Sequence, residues 1–183
     1  MTNPPFSLFR KYVAQLIEYE KKFLIIGSLN VIKYKEFFPL LKNNKIWLGY
    51  NHVKKFLNAN SEKQKFGNVL WHTNFDYDKR HENLLLYKKY NPEEFPKYDN
   101  YDAINLDKVS DIPVDYDGVI GVPITFLDKY NPEQFKIIGI TNHSAMVDIF
   151  WNNNCFAERN GKRKYIRTLI KYTSKWISKH RVY

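Results

Sequence analysis

The sequence contains a single cysteine, Cys155, among its 183 residues. One cysteine excludes a disulfide framework and a cysteine-rich zinc site, and it is typical of a protein that works in a reducing cytoplasm. No apolar run approaches the roughly 20 residues needed to cross a bilayer, and the first residues lack the basic and apolar segments of a secretory signal. The five histidines have no Glu or Cys at ligand spacing, so no metal site is indicated.

Acidic residues are scarce relative to basic ones. Nineteen Asp and Glu residues stand against 29 Lys and Arg residues, which gives a formal charge of +10 at pH 7. This excess favours a polyanionic partner, with nucleic acid ahead of an anionic membrane surface. Hydrophobic residues make up 44% of the chain and aromatic residues 17%, which is ample for a packed core.

The chain opens with the tetrad Asn3-Pro4-Pro5-Phe6. The exocyclic amino group of a nucleobase is a poor nucleophile because its lone pair is delocalised into the ring. Two acceptors on the amino hydrogens, the Asn3 side-chain oxygen and the Pro4 carbonyl, can draw that lone pair out, while the prolines stiffen the loop. Phe6 offers a face on which an extruded base can stack. Such a tetrad is the signature of enzymes that methylate these amino groups.

A structural interpretation of the tetrad remains open at this point. Asn-Pro also begins helices, with Asn as the N-cap and Pro at the first helical position, and the residues that follow have helical spacing. Two further Asn-Pro-Glu sequences, which begin at Asn91 and Asn131, look like capping boxes at helix starts.

The order of predicted elements after the tetrad is that of an α/β fold. A stripe of Leu8, Tyr12, Leu16 and Tyr19, widened by Val13 and Ile17, predicts an amphipathic helix over residues 7–20. A second helix is predicted at residues 32–41, shortened or kinked by Pro39, and the apolar run at residues 23–27 is of the kind buried in a parallel sheet. Further strands are predicted at residues 45–50, 66–75, 103–106, 135–140 and 164–172.

Lysines are concentrated between residues 51 and 65, where the sequence turns polar. This composition predicts a surface loop that carries a short helix at residues 53–57. Further on, Trp71, His72 and Asn74 form a polar and aromatic cluster. It would face a base pocket or a DNA groove, or else consist of a buried Trp with a capping Asn.

Three stretches carry a resemblance that is far more specific than the tetrad. They are TNPPFSLFRKYVAQLIEYEKKF and onward to Asn51, FGNVLWHTNFDYDKRHENLLLY and onward to Asn142, and RKYIRTLIKY near the end of the chain. They resemble the EcoRI-type adenine-specific DNA methyltransferases of restriction-modification systems. Residues 53–65 and 145–159 match least.

This resemblance implies a Rossmann-like enzyme that transfers a methyl group from S-adenosylmethionine to adenine N6 in double-stranded DNA. Asn3, Pro4, Pro5 and Phe6 would be its catalytic motif. Family members carry a Gly-containing donor loop and acidic donor-binding residues before the tetrad, and this sequence has neither. We therefore expect a missing or incomplete donor site, with no cofactor-binding residue assigned. The chain would then need a missing N-terminal half or a complementary polypeptide for activity, unless it is a non-catalytic DNA-binding remnant.

The resemblance also predicts the domain organisation. Residues 1–50 would be the later half of a Rossmann-like methyltransferase sheet. Residues 51–141 would hold the remaining strands and a mixed α+β DNA-recognition region, and residues 142–183 an insertion, a closing strand and a basic tail.

Basic side chains in the second matching stretch are candidates for contacts with DNA phosphates. An ordinary solvated surface is the alternative interpretation. The candidates are Lys79, Arg80, His81, Lys88 and Lys89.

Overall fold

Two units, Met1–Asp76 and Tyr77–Tyr183, make up the chain. They are seen in a computed structural model that describes residues 4, 7–52, 55–57, 60–65, 67–141 and 156–180, with the backbone alone at residues 52 and 56. Both units combine helices with strands, so the α/β class is confirmed. The predicted limits at residues 50 and 141 fall inside these units. In the described part of the chain no helix is long and apolar enough to cross a membrane.

The first unit is built on a three-stranded sheet. The described strands of this unit are β1 (Leu24–Ser28), β2 (Trp47–His52), β3 (Lys55–Leu57), β4 (Lys63–Lys65) and β5 (Val69–Thr73). Strand β5 lies between β1 and β2 and runs antiparallel to both, so β1 and β2 run in the same direction. Strands β3 and β4 pair only with each other, as an antiparallel hairpin.

Strand β1 confirms the strand predicted at residues 23–27, but its neighbour differs from the expectation. Its hydrogen-bonded partner β5 is antiparallel, and burial alternates along β1 instead of being continuous. Ile25 and Gly27 face the core, while the other residues of the strand are half-buried. The partner is supplied by a segment more than 40 residues away, which the local pattern of β1 does not specify.

Helix α1 (Phe9–Glu18) confirms the first predicted helix, although its buried face is rotated from the predicted stripe. Phe9 and Val13 are its fully buried residues, whereas Leu8 and Tyr19 are 53% and 67% exposed. The buried face differs from the stripe because the ring of Phe9, which is not part of the stripe, packs in the core, while Leu8 remains exposed.

The second predicted helix is split in two. A 3-10 helix spans Leu29–Lys33, and α2 (Phe38–Lys42) follows after an irregular turn. Pro39 lies in the first turn of α2, where its missing N–H costs no helical hydrogen bond. Proline therefore starts a short helix here instead of kinking a longer one.

The helix predicted at residues 53–57 is wrong, because β3 occupies its described residues. Lys55 lies opposite Lys65, and Leu57 opposite Lys63. Just before this hairpin the pairing of β2 with β5 shifts register between Leu48 and His52. Such bulges bend and twist a strand, so β2 changes course before it leads into β3.

The described residues of the second unit form six strands, four of which make up a mixed sheet. The strands are β6 (Ala103–Asn105), β7 (Val119–Pro123), β8 (Phe135–Ile140), β9 (Glu158–Arg159), β10 (Lys162–Arg163) and β11 (Arg167–Tyr172). The sheet order is β6-β7-β11-β8, with β6 parallel to β7 and the other pairs antiparallel. Strands β9 and β10 form a small hairpin, and helix α3 (Ser174–His180) follows β11.

The two Asn-Pro-Glu sequences of this unit cap single turns and not helices. The Glu93 N–H donates to Asn91 Oδ1 over 3.1 Å, and the Glu133 N–H donates to Asn131 Oδ1 over 2.8 Å. The Asn caps are therefore present, but the predicted capping boxes are wrong, because the side chains of Glu94 and Gln134 bond to Lys88 and Leu84 instead. Helices do not follow because Pro96 disfavours helical backbone before it and because the chain enters β8 at Phe135.

Candidate functional site

The tetrad lies at the approach to helix α1. Pro4 is described and half-buried, whereas Asn3, Pro5 and Phe6 lie outside the described residues. Helix α1 begins only at Phe9, and its N-cap residue Leu8 makes no side-chain capping bond. Helix α1 therefore does not begin at Asn3-Pro4, and the catalytic role of the tetrad stays a prediction.

An aromatic cluster fixes the beginning of α1 on the sheet. The ring centroid of Phe9 lies 5.0 Å from that of His72 on β5 and 6.0 Å from that of Phe37. His72 and Phe37 meet edge to face at 5.5 Å. All three side chains are buried. The polypeptide three residues beyond Phe6 is thus held in the core.

Gly27 is what lets Phe9 approach β1. A Cβ atom on Gly27 would lie 2.8 Å from Phe9 Cζ, closer still to Phe9 Cε2, and 3.1 Å from His72 Cε1. Real Cβ atoms do not come within 3 Å of a ring, so any larger residue would displace Phe9. The position of α1 over β1 therefore depends on a glycine at position 27.

His72 is a neutral core residue and not a surface group. Its complete burial lowers the pKa of the imidazole to about 3. The neighbouring Asn74 is also structural: its Oδ1 accepts from the Phe23 N–H, and its Nδ2 donates to the Lys21 carbonyl, both over 2.9 Å. Of the structural interpretation, the capping Asn is confirmed by Asn74, but Trp71 is half-buried and His72 is the fully buried member of the cluster.

The candidates of the 3-10 helix Asp78–His81 differ strongly in their exposure. Lys79 is exposed, whereas Arg80 is only 8% exposed and lies in the interior of the second unit. His81 lies 3.6 Å from the Glu133 carboxylate. Lys79 and His81 are therefore exposed, whereas Arg80 is buried.

The candidates at positions 88 and 89 also differ. Lys88 Nζ lies 2.9 Å from Glu94 Oε1 and 3.2 Å from Asp111 Oδ1. The hydrogen bond to Glu94, and then that to Asp111, raises the pKa of Lys88 above its ordinary value. Its charge is thus already matched by two carboxylates. Lys89 is exposed and has no ion pair to a described residue.

Buried amides hold the segment that carries these residues. Asn131 Nδ2 donates to the carbonyls of His81 and Glu82 over 3.0 and 3.3 Å. The Leu84 N–H donates to Gln134 Oε1 over 2.7 Å, and Gln134 Nε2 returns a bond to the Leu84 carbonyl. A single turn therefore fixes the backbone between residues 81 and 84.

The sequence reasoning missed a basic surface on the β3–β4 hairpin. Lys55, Lys63 and Lys65 are all exposed there, and their pairing places them on one face. Residues 51–67 contain four lysines and a single acidic residue, Glu62. That local charge was the available signal, but it was interpreted as the mark of an irregular loop.

The described strands of the first unit do not supply a site for the methionine part of a methyl donor. Such a group needs a glycine-containing loop at the end of a strand, but Gly27 and Gly49 lie inside β1 and β2, and Gly67 lies just before β5. Among the described residues, no three His, Cys, Asp or Glu side chains are grouped to hold a metal ion.

Comparison with known proteins supports the resemblance to a single family. The family model described as "Adenine-specific methyltransferase EcoRI" matches residues 1–178. The Type II methyltransferase M.EcoRI of Escherichia coli is 47% identical over 93% of the chain, and M.MgeORF184P of Mycoplasma genitalium is 36% identical over 93%. The chain spans 56% and 63% of the lengths of these two relatives. No solved structure shows a significant match. The chain belongs to the EcoRI-type adenine-specific methyltransferase family.

Proposed function

We propose that this chain is the catalytic-motif and DNA-recognition portion of a methyltransferase that modifies adenine N6 in double-stranded DNA. The observation that carries the proposal is the family match over residues 1–178, which includes the Asn3–Phe6 tetrad. The relatives are Type II methyltransferases, which act within restriction-modification systems. The sheet of the first unit would be the later part of a Rossmann-like fold, with helices between strands that share a direction.

In this proposal the tetrad acts on the adenine amino group. The Asn3 side-chain oxygen and the Pro4 carbonyl accept its two hydrogens, which turns the nitrogen lone pair away from the ring. Phe6 stacks against the extruded base, a contact worth about 1–3 kcal/mol in single-strand binders. Two prolines would stiffen this loop, and the burial of Phe9 fixes the chain shortly after it, so the acceptors would be aligned before the base arrives.

Charge supports DNA as the substrate. The first unit contains 12 Lys and Arg residues and 5 Asp and Glu residues, a formal excess of seven positive charges. Neutralisation of phosphates by such residues would make binding fall steeply with salt. The exposed Lys79 and Lys89 add phosphate contacts from the second unit.

We place the residues that bind the donor, S-adenosylmethionine by family, outside the described part of the chain. The absence of a glycine loop among the described strands of the first unit supports this. The same observation favours the second candidate function, a non-catalytic DNA-binding remnant of such an enzyme.

A complementation assay separates the two functions. The chain is mixed with the part of the Escherichia coli relative that it does not span, and transfer of a tritiated methyl group to duplex DNA is measured. Transfer that requires both polypeptides supports the enzyme. DNA binding without transfer supports the remnant, and failure to bind duplex DNA in any mixture refutes both.

The chain alone should bind duplex DNA but have negligible affinity for S-adenosylmethionine. Isothermal titration calorimetry checks this second expectation. Micromolar donor binding by the chain alone would show that the donor site has been placed wrongly.

A further inference from the structure

We propose that the β3–β4 hairpin is a DNA-binding ribbon whose one face, formed by Lys55, Leu57, Lys63 and Lys65, meets the phosphates that border a groove. This rests on the proposed function, since it names a surface through which the same substrate is held. The four residues are called the ribbon face below.

Pairing geometry puts these side chains together. Residues directly opposite in an antiparallel pair project to the same side, as do residues two apart on one strand. Lys55 is opposite Lys65, and Leu57 is opposite Lys63. Three ammonium groups and one aliphatic side chain therefore share a single side of the hairpin.

Nothing described within the protein neutralises this charge. Lys55, Lys63 and Lys65 are exposed, and none of them forms an ion pair in the part of the chain that the structure describes. Like charges placed directly opposite each other destabilise a strand pair, and an isolated two-stranded hairpin is at best marginally stable. A polyanion lying against the ribbon face would remove this repulsion.

The apolar member of the face is also unburied. Leu57 is 67% exposed, and every described side chain of β3 and β4 is exposed. The hairpin thus contributes little to the core of the first unit. Its sequence is better explained by an external contact than by packing.

Dimensions favour duplex DNA as that contact. The major groove admits a two-stranded β-ribbon. Residues two apart on a strand are separated by about 6.8 Å, which equals about two base-pair rises of 3.4 Å measured along the DNA helix axis. The hairpin is a two-stranded sheet separate from the β1-β5-β2 sheet, and the pairing of β2 with β5 shifts register before it.

The second unit offers a matched control for this surface. Lys136 on β8 and Lys171 on β11 are also exposed and lie directly opposite each other. A substitution there removes the same number of charges and the same kind of cross-strand repulsion as one at Lys55 and Lys65. The two double variants therefore differ only in the surface that they alter.

The test measures duplex binding by fluorescence anisotropy for the full chain, for K55Q/K65Q and for K136Q/K171Q, at several salt concentrations. If each ribbon lysine meets one phosphate, the slope of log K against log salt should flatten by about 1.8 in K55Q/K65Q. The loss of affinity between about 50 and 200 mM salt then becomes about 12-fold smaller. The slope of K136Q/K171Q should equal that of the parent chain.

Equal slopes in the parent chain and K55Q/K65Q overturn the ribbon but leave the proposed function standing, because the parent still binds DNA. Equal flattening of the slope in both double variants also overturns the ribbon proposal, since the loss of net charge alone would then explain the effect. A parent chain without salt-dependent duplex binding refutes both proposals. If K55Q/K65Q loses binding only to phosphatidylserine vesicles or to an acidic peptide, the ribbon has a different partner and the inference is wrong.

Discussion

Substitution of Gly27 by alanine should destabilise the first unit by about 1–3 kcal/mol, the usual cost of forcing an extra methyl group into a packed core. The new Cβ would lie 2.8 Å from Phe9 Cζ and closer to Cε2, so either the phenyl ring or helix α1 must move. Alanine normally stabilises relative to glycine within a strand. Any loss of stability therefore measures the collision.

A double-mutant cycle isolates that collision. Phe9→Leu removes the far ring atoms that Gly27→Ala would strike, at a cost of about 1–2 kcal/mol for lost packing. In the Phe9→Leu background Gly27→Ala should be neutral or slightly stabilising, which gives a coupling of at least about 1 kcal/mol. Gly67→Ala is the control, because a Cβ there meets nothing within 4 Å.

Urea denaturation of the four cycle members gives the free energies of unfolding. Hydrogen exchange of the β5 amides, which belong to the first unit, shows where the loss occurs. Equal destabilisation by Gly27→Ala in both backgrounds would refute the close approach of Phe9 to β1, and with it the proposed anchoring of the tetrad.

Two further predictions concern buried polar groups. Because the folded pKa of His72, about 3, lies below the ordinary imidazole pKa of 6.5, its stabilising contribution is fully present above pH 6.5 and is lost as pH falls toward 3. Urea titrations across this window should show stability falling by up to about 1.4 kcal/mol per pH unit, and His72→Phe should reduce that slope; an unchanged slope in the variant would contradict the assignment. Asn131→Ala should cost about 2–3 kcal/mol because it removes two backbone-directed bonds and a capping bond from a fully buried side chain, whereas Asn91→Ala in the exposed equivalent turn should cost less than about 1 kcal/mol. Equal losses in thermal denaturation would contradict the anchoring role of Asn131.

Local sequence patterns predicted elements well where one face of an element meets the core. Helix α1 was found from its period, and β8 and β11 from their apolar content. The partners of these elements could not be predicted from their own residues. The antiparallel pairing of β1 with β5 joins segments more than 40 residues apart. The burial of Phe9 against Gly27 depends on that assembly, so it cannot be predicted from the residues of α1 alone.

The hairpin β3–β4 illustrates the opposite limit. Its strands bury no described side chain, so they have no alternation of apolar and polar residues from which a strand could be predicted. Two of the DNA candidates illustrate a related limit. Basic residues at positions 80 and 88 look alike in a sequence, but one is buried and the other is paired with two carboxylates supplied from other segments.

The catalytic role of the tetrad is tested most directly by measuring N6-methyladenine in duplex DNA with Asn3→Ala in the complemented enzyme. Asn30→Ala serves as the control, because Asn30 is exposed and bonds to Ser28 only through its backbone N–H. Mass spectrometry of the digested DNA should find N6-methyladenine with the parent and with Asn30→Ala. It should find none with Asn3→Ala, while duplex affinity is unchanged. Retained methylation by Asn3→Ala would contradict the assignment of the tetrad as the catalytic motif.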